Sequence, residues 1–299
     1  MSLDRIRLAS LHDKVMSAEQ AATFIQDGMT VGMSGFTRAG EAKAVPLALV
    51  KQAHSNPLKI TLITGASLGN DLDKKLTEAG VLARRLPFQV DNTLRKAINK
   101  GEVMFIDQHL SETVEQMRNL QLKKPDIAII EAVAITEDGG IIPTTSVGNS
   151  ASFAIFAEKV IIEINTNLSP AFEGLHDIYI PTYRPTRQAI PLTQVDERIG
   201  THAINIDPSK IAGIVFNNDY HDSPSTVTLP DDETQGIANH LINFFEQEVA
   251  EGRLPKDLGP LQAGIGSIAN AVLTGLKDSN FEDLVMYSEV LQDCTFELI

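Results

Sequence analysis

Residues 126–135 read DIAIIEAVAI, an almost unbroken run of Ile, Ala and Val. Two further runs of this kind follow it, KVIIEIN at 159–165 and IAGIVF at 211–216. β-Branched residues favour strands, and strands that are apolar on both faces are typical of a parallel sheet covered by helices on both sides. These runs therefore predict the centre of such a sheet.

The residues around these runs alternate between strand and helix patterns. Strands are predicted at 29–36, 58–67 and 103–107, and the amphipathic stretches between them predict helices. A capping box at Ser17–Gln20 opens one of these helices, and Asp138-Gly-Gly predicts a hairpin turn. The order of elements predicts the α/β class, with a mostly parallel sheet flanked by helices.

The charge of the chain changes towards its end. Residues 219–299 hold 3 Lys and Arg against 15 Asp and Glu, and so carry most of the net charge of −14. We therefore predict an N-terminal domain at 1–218, a linker at 219–231 and the beginning of a second α/β unit at 232–299. A strand is predicted there at 284–292, after two helices. These elements are too few to close a domain, so we expect the unit to be truncated or completed by another chain.

Composition argues against several classes of protein. The chain is 43% hydrophobic and 21% charged, which is typical of a folded globular protein. Its single cysteine, Cys294, cannot form an internal disulfide, which favours a cytoplasmic location. No apolar run reaches membrane-spanning length and no signal peptide is evident, so we expect no membrane partner. We also expect no nucleic-acid partner, because basic clusters are missing, and no metal, because the histidines lack ligand spacing.

Three carboxylates lie in predicted strands among apolar residues: Glu131, Glu163 and Glu289. A buried carboxylate needs a partner, a proton or a place at an open strand end. For any one of them, a structural carboxylate satisfied by its neighbours is the simpler interpretation. Because open α/β sheets bind ligands beyond the carboxyl ends of their strands, each is also a candidate catalytic group.

The segment Gly264-Ile-Gly266-Ser-Ile-Ala269 matches the dinucleotide pattern G-x-G-x-x-A, with the acidic Glu289 following it. One interpretation is an NAD-binding oxidoreductase. Another is a nest of backbone N–H groups for an oxyanion at the start of a helix, and a plain tight turn is a third.

Small residues end two of the predicted strands, in SGFTRAG (34–40) and TGASLG (64–69). They would let a ligand approach the backbone, which makes Gly35 and Thr37 candidate substrate-binding residues, although ordinary turns look similar. His176-Asp177 is interpreted as a structural pair, because no nucleophile motif accompanies it.

Taken together, these segments resemble the acetyl-CoA hydrolase/transferase family, within the class I CoA-transferases. The matching segments run in family order along nearly the whole chain: SGFTRAGEAKAVP (34–46), TGASLGNDL (64–72), RRLPFQ (84–89), IIEAVAITEDGGIIPTTSVGN (129–149), EGLHDIY (173–179), DERIGT (196–201), GIGSIANAVLTGL (264–276) and YSEVLQD (287–293). The resemblance implies a CoA-transferase-like fold.

The resemblance also implies the roles of individual residues. Glu289 falls on the catalytic glutamate of the family. Ile265, between Gly264 and Gly266, falls on the residue whose backbone N–H forms half of the oxyanion hole. Ser67 falls on an active-site serine near the acyl or carboxylate group.

The implied activity is that of an acyl-CoA:carboxylate CoA-transferase or an acetyl-CoA hydrolase acting through a glutamyl-CoA thioester. The expected partners are an acyl-CoA and a small carboxylate, acetate or succinate, with coenzyme A as a substrate and no permanently bound cofactor. A homo-oligomer is expected. The alternatives are a non-catalytic acyl-CoA-binding fragment or subunit that needs a partner chain and, with less support, the NAD-binding oxidoreductase. Glu41-Ala42 departs from the Tyr-Pro of the family, which leaves the acyl preference open.

Overall fold

The computed structural model describes residues 3–222 and 230–298. Residues 223–229, the greater part of the predicted linker, lie outside the described residues. The chain forms two compact units. The first comprises residues 3–190 and 199–222, and the second comprises residues 191–198 and 230–298.

The first unit is built on one eight-stranded sheet. Its strands are β1 (Thr30–Met33), β2 (Ile60–Ile63), β3 (Leu82–Leu86), β4 (Met104–Phe105), β5 (Ile127–Ile135), β6 (Ile141–Pro143), β7 (Lys159–Asn165) and β8 (Ile211–Asn217). The strand order is β4-β3-β2-β1-β5-β7-β8, and every pair in it is parallel. Strand β6 pairs antiparallel with β5 through the hairpin that Asp138-Gly-Gly predicts. The predicted α/β class and mostly parallel sheet are confirmed.

Helices flank this sheet. They are α1 (Ala18–Ala22), α2 (Ala44–Ser55), α3 (Leu72–Glu78), α4 (Asn92–Asn99), α5 (Leu110–Arg118) and α6 (Ser150–Phe156), with short 3-10 helices at Leu3–Arg5, Ala9–Lys14, Pro170–Phe172 and Pro208–Lys210. Ser17 caps α1 in the predicted capping box.

The core of the first unit lies on both faces of β5, whose nine residues are all buried. Ile127 and Ile129 belong to one apolar cluster, and the alternating Ala128 and Ile130 belong to another. Successive side chains of a strand point to opposite faces, so the two clusters cover the two sides of the sheet. The continuous Ile and Ala pattern of 126–135 therefore follows from burial on both faces.

The second unit contains α7 (Asp232–Ala250), α8 (Ser267–Lys277) and a 3-10 helix at Asp293–Glu297. The strand that we predict at 284–292 is wrong. Within the described residues this segment makes one isolated parallel bridge, between Met286 and Leu261. A ladder needs a paired neighbour at several successive positions, and here the apolar side chains of the segment pack against the helices instead.

Candidate functional site

Two loops meet at the carboxyl ends of the neighbouring strands β1 and β2. Phe36 and Ala39 exchange backbone hydrogen bonds of 2.9 and 3.0 Å in a tight turn, in which Thr37 has a φ of 48°. The N–H of Arg38 donates to the carbonyl oxygen of Ser67 at 3.1 Å. Three residues of the predicted site, Gly35, Thr37 and Ser67, therefore lie in contacting loops of the first unit.

Glycines allow these two loops to pack closely. Gly35 has a φ of +126°, and a Cβ there would lie 2.7 Å from the Cβ of Glu41. A Cβ on Gly65 would lie 2.5 Å from the carbonyl oxygen of Gly35. Such distances exclude any side chain, so these glycines let the two loops pack directly against each other.

A buried ion pair supports the loop that carries Ser67. The fully buried guanidinium of Arg85 donates through Nε to Asp73 at 2.8 Å and through Nη2 to the carbonyl oxygen of Ala66 at 3.2 Å. Its Nη1 donates to the carbonyl oxygen of Leu86 at 2.6 Å. One planar side chain therefore joins the start of α3, the end of β3 and the residue before Ser67.

A second buried cluster is centred on Lys43, whose exposed fraction is 0%. Its Nζ donates to Glu131 Oε1 at 2.6 Å and to the carbonyl oxygen of Glu41 at 2.7 Å, and lies 2.7 Å from Asp222 Oδ1. Burial acts to lower the pKa of Lys43, but attraction to Glu131 and Asp222 outweighs it and raises the pKa above 10.5. The ammonium therefore stays charged.

Glu131 receives two further hydrogen bonds in this cluster. Thr144 Oγ1 donates to its Oε2 at 2.7 Å, and Asn165 Nδ2 donates to its Oε1 at 3.0 Å. Burial raises the pKa of Glu131 to about 7, against the opposing attraction of Lys43. Both oxygens of this carboxylate are thus occupied by protein groups.

Glu163 is held at the start of α2. Its Oε1 accepts from the backbone N–H groups of Lys43 and Ala44 at 2.7 and 2.9 Å, and its Oε2 accepts from that of Val45 at 3.1 Å. A carboxylate at a helix N-terminus satisfies N–H groups that have no partner within the helix. Burial raises the pKa of Glu163, and these three donors oppose that effect. Glu131 and Glu163 are therefore structural carboxylates.

Glu289 lies in a different environment, because it is exposed in the second unit. The segment around it runs beside residues 261–264. The N–H of Tyr287 donates to the carbonyl oxygen of Leu261 at 2.9 Å, and Ser288 Oγ donates to that of Ala263 at 3.1 Å. Gln292 Nε2 donates to the carbonyl oxygen of Gly264 at 2.6 Å. These bonds on both sides of Glu289 place it next to the predicted glycine turn.

The glycine turn is open and precedes a helix. Gly266 is the N-cap of α8 with a φ of 123°, and Ile265 has 64% of its surface exposed. The backbone N–H groups of Gly264, Ile265 and Gly266 donate to no described residue. A Cβ built on either glycine would meet nothing within 4 Å. The turn therefore offers free donors in open space beside Glu289, as an oxyanion site requires.

Other candidates from the sequence have structural roles. His176 Nε2 lies 2.9 Å from the carbonyl oxygen of Pro143, and Asp177 accepts from the N–H groups of Ile199 and Gly200. Cys294 is buried, and burial raises the pKa of its thiol. Among the described residues, no group of three or more His, Cys, Asp or Glu could hold a metal ion. No helix within 3–222 or 230–298 is long and apolar enough to cross a membrane.

Comparison with solved structures defines the class of protein. RipA from Yersinia pestis is similar in fold, with a TM-score of 0.69 at 18% identity, over 97% of this chain and 59% of RipA. A 4-hydroxybutyrate CoA-transferase from Porphyromonas gingivalis has a TM-score of 0.59 at 20% identity, over 97% of this chain and 57% of its own. The fold is therefore that of a CoA-transferase-like α/β protein.

The family follows from the sequence match. The model for the acetyl-CoA hydrolase/transferase N-terminal domain matches residues 2–216, and the chain belongs to this family. A succinyl-CoA:acetate CoA-transferase from Clostridium kluyveri is 45% identical over 99% of this chain. An acetyl-CoA hydrolase from Kluyveromyces lactis is 44% identical over 99% of it. The chain spans 55% and 58% of the lengths of these two relatives.

Proposed function

We propose that this chain carries the nucleophile of an acyl-CoA:carboxylate CoA-transferase or acetyl-CoA hydrolase. The observation that supports this most directly is the exposed Glu289 beside a glycine turn whose three backbone N–H groups donate to no described residue. The names of the relatives, a succinyl-CoA:acetate CoA-transferase and an acetyl-CoA hydrolase, agree with such chemistry. The interpretation as an NAD-binding oxidoreductase has less support. Among the described residues, those that flank the turn form a single bridge instead of paired strands, and Glu289 does not end a strand.

The proposed reaction begins with attack of the Glu289 carboxylate on the thioester carbonyl carbon of an acyl-CoA. The C–S bond breaks, and the products are an acyl-glutamyl anhydride and CoA thiolate. The thiolate then attacks the glutamyl carbonyl carbon, releasing the first carboxylate and leaving a glutamyl-CoA thioester. A second carboxylate takes over the CoA by the reverse steps, whereas attack by water on either intermediate gives hydrolysis. This is covalent catalysis, which divides one difficult exchange into easier steps.

The glycine turn supplies what this nucleophile lacks. A carboxylate is weakly nucleophilic, so the negative charge that develops on the thioester oxygen must be stabilised. In the proposal, the N–H of Ile265 donates to that oxygen, while Gly264 and Gly266 keep the approach open. Ser67, Gly35 and Thr37 are proposed to contact the acyl or carboxylate group.

The proposal extends to the organisation of the protein. We infer an N-terminal domain at 1–218, a linker at 219–231 and a second α/β domain that begins at 232, in a cytoplasmic homo-oligomer. The division into two compact units supports the placement of a boundary in this region. The charge difference between residues 1–218 and 219–299 supports it independently.

Intact-mass spectrometry tests the nucleophile. The protein is mixed with acetyl-CoA, and its mass is measured before and after treatment with borohydride, which reduces a glutamyl thioester to the alcohol, or with hydroxylamine, which converts it to a hydroxamate. Both treatments release CoA. We expect a CoA adduct that is lost in Glu289→Gln and kept in Glu282→Gln, a matched control at another exposed acid of the second unit. An adduct that persists in Glu289→Gln would refute the assignment. Binding of CoA by the folded chain without any adduct would favour the non-catalytic subunit.

A further inference from the structure

Glu41 is a buried acid that the proposed reaction does not use. It follows the turn after β1, its exposed fraction is 0%, and it packs directly against Gly35. We propose that Glu41 is a positioning residue: in its neutral form it clamps the Ser67 loop to the turn that carries Gly35 and Thr37, and ionisation releases that loop. The clamp stands on contacts within the first unit, and only its consequence for substrate rests on the function proposed above.

The clamp is a side-chain hydrogen bond between the two loops, which adds to the backbone bond from Arg38 to Ser67. Asn70 Nδ2 donates to Glu41 Oε1 at 2.9 Å, and the same amide donates to the carbonyl oxygen of His221 at 3.0 Å. Asn70 follows Ser67 by three residues and lies two residues before the start of α3 at Leu72. The other oxygen, Glu41 Oε2, is buried and has no hydrogen-bond partner among the described residues. A buried oxygen without a donor is costly for a carboxylate and much less so for a neutral acid.

The charges around Glu41 favour the neutral form. The groups that face it are Lys43 in its own turn, Asp222 after β8 and, through Lys43, Glu131 on β5. The Lys43 ammonium donates to Glu131 and to the backbone carbonyl of Glu41 and lies 2.7 Å from Asp222, and it makes no hydrogen bond to the Glu41 carboxylate. Burial raises the pKa of Glu41, and attraction to Lys43 and the hydrogen bond from Asn70 only partly offset this.

The direction of the pH effect follows from linkage. With the loop released, Glu41 is hydrated and its pKa returns towards 4.5, whereas the pKa is higher when the loop is clamped. The clamped form therefore binds more protons. Its population relative to the released form is greatest below pH 4.5, falls about tenfold per pH unit above that value, and levels off beyond the raised pKa. Substitution by Gln, which cannot ionise, removes this dependence.

Hydrogen exchange measures the clamp without any substrate. Amide exchange of residues 64–70 is followed by mass spectrometry across this pH range and corrected for the intrinsic pH dependence of exchange. We expect protection to fall with pH in the wild type and to be flat in Glu41→Gln. Glu137→Gln, the same change at a side chain that is 75% exposed, is the matched control and should retain the wild-type slope.

A second readout covers the case in which Glu41→Gln does not fold. Infrared difference spectra of the wild type and Asn70→Ala should show a protonated-carboxyl band that shifts when the amide donor is removed. The proposal would be overturned if protection in the wild type did not depend on pH, or if Glu41→Gln showed the same slope as the wild type. It would also be overturned if no protonated-carboxyl band appeared. Failure of the Glu289 adduct experiment would leave these readouts unaffected. If the adduct does form, its rate should follow the clamp's pH curve in the wild type and lose that dependence in Glu41→Gln.

Discussion

Replacement of Lys43 by Met removes the one ammonium at the centre of the buried cluster while keeping an unbranched apolar side chain. The substitution deletes the contacts to Glu131, to the Glu41 carbonyl and to Asp222, each between 2.6 and 2.7 Å long. Removing one partner of a buried ion pair costs about 3–5 kcal/mol, because the remaining charge is buried without compensation. Asp222 is partly exposed and regains water, so the loss should stay within that range.

The loss caused by Lys43→Met should depend on pH. Burial raises the pKa of Glu131 to about 7 even with Lys43 present, and removing the ammonium raises it further. A folded protein that binds more protons than its unfolded form loses stability as pH rises. In the wild type, the fall of stability with rising pH ends near pH 7. In the variant, stability continues to fall above pH 7. The difference in unfolding free energy should therefore be larger above pH 7 than below it.

Urea unfolding followed by circular dichroism measures the change. Lys51→Met is the matched control, because Lys51 lies on the neighbouring α2, is 68% exposed and approaches Glu19 only to 3.8 Å. We expect the control to leave the unfolding free energy essentially unchanged. A loss below about 1 kcal/mol for Lys43→Met, or a loss that is equal on both sides of pH 7, would refute the reasoning.

Two further substitutions test the loops around Ser67. Gly35→Ala should lower the free energy of unfolding, measured in urea, more than Gly28→Ala does. Both glycines have positive φ, but only at Gly35 would a Cβ collide with a neighbour, at 2.7 Å. Equal losses would contradict the packing argument. Arg85→Met should lower the free energy of unfolding by about 3–5 kcal/mol, because it leaves Asp73 buried and unpaired. Arg85→Lys should restore little of this stability, since an ammonium cannot reproduce the planar arrangement of donors of a guanidinium. Full recovery in Arg85→Lys, by the same unfolding measurement, would contradict this.

The central strands could be predicted because their side chains report their surroundings directly. Residues 127–135 and 160–165 are buried on both faces, and a nearly continuous apolar pattern is the direct result. The sequence patterns do not predict strand β3, because LARRL looks polar and Arg85 is buried only through its pairing with Asp73. Helix α6 was missed for a related reason, since its small residues show no amphipathic pattern.

Contacts between distant residues could not be predicted from local patterns. The sequence indicated that Glu131 needs a partner, but nothing local pointed to Lys43, 88 residues away. The false strand at 284–292 has the same origin, because its apolar residues pack against helices rather than in a ladder. The glycine turn was visible as a motif. That Gln292 and Ser288 hold the segment of Glu289 against it required the structure.

The strand order has a consequence for synthesis on the ribosome. Strand β1 ends at Met33, yet one of its two neighbours, β5, begins only at Ile127. At about 5–20 residues per second, the roughly 90 intervening residues take between about 5 and 20 seconds to add. During that interval β1 can pair with β2, but the edge of β1 that later pairs with β5 stays open to other chains. All four residues of β1 are buried in the folded protein. Variants that delay the pairing of β5 should therefore lower the yield of folded protein in cells more than they lower its stability once folded.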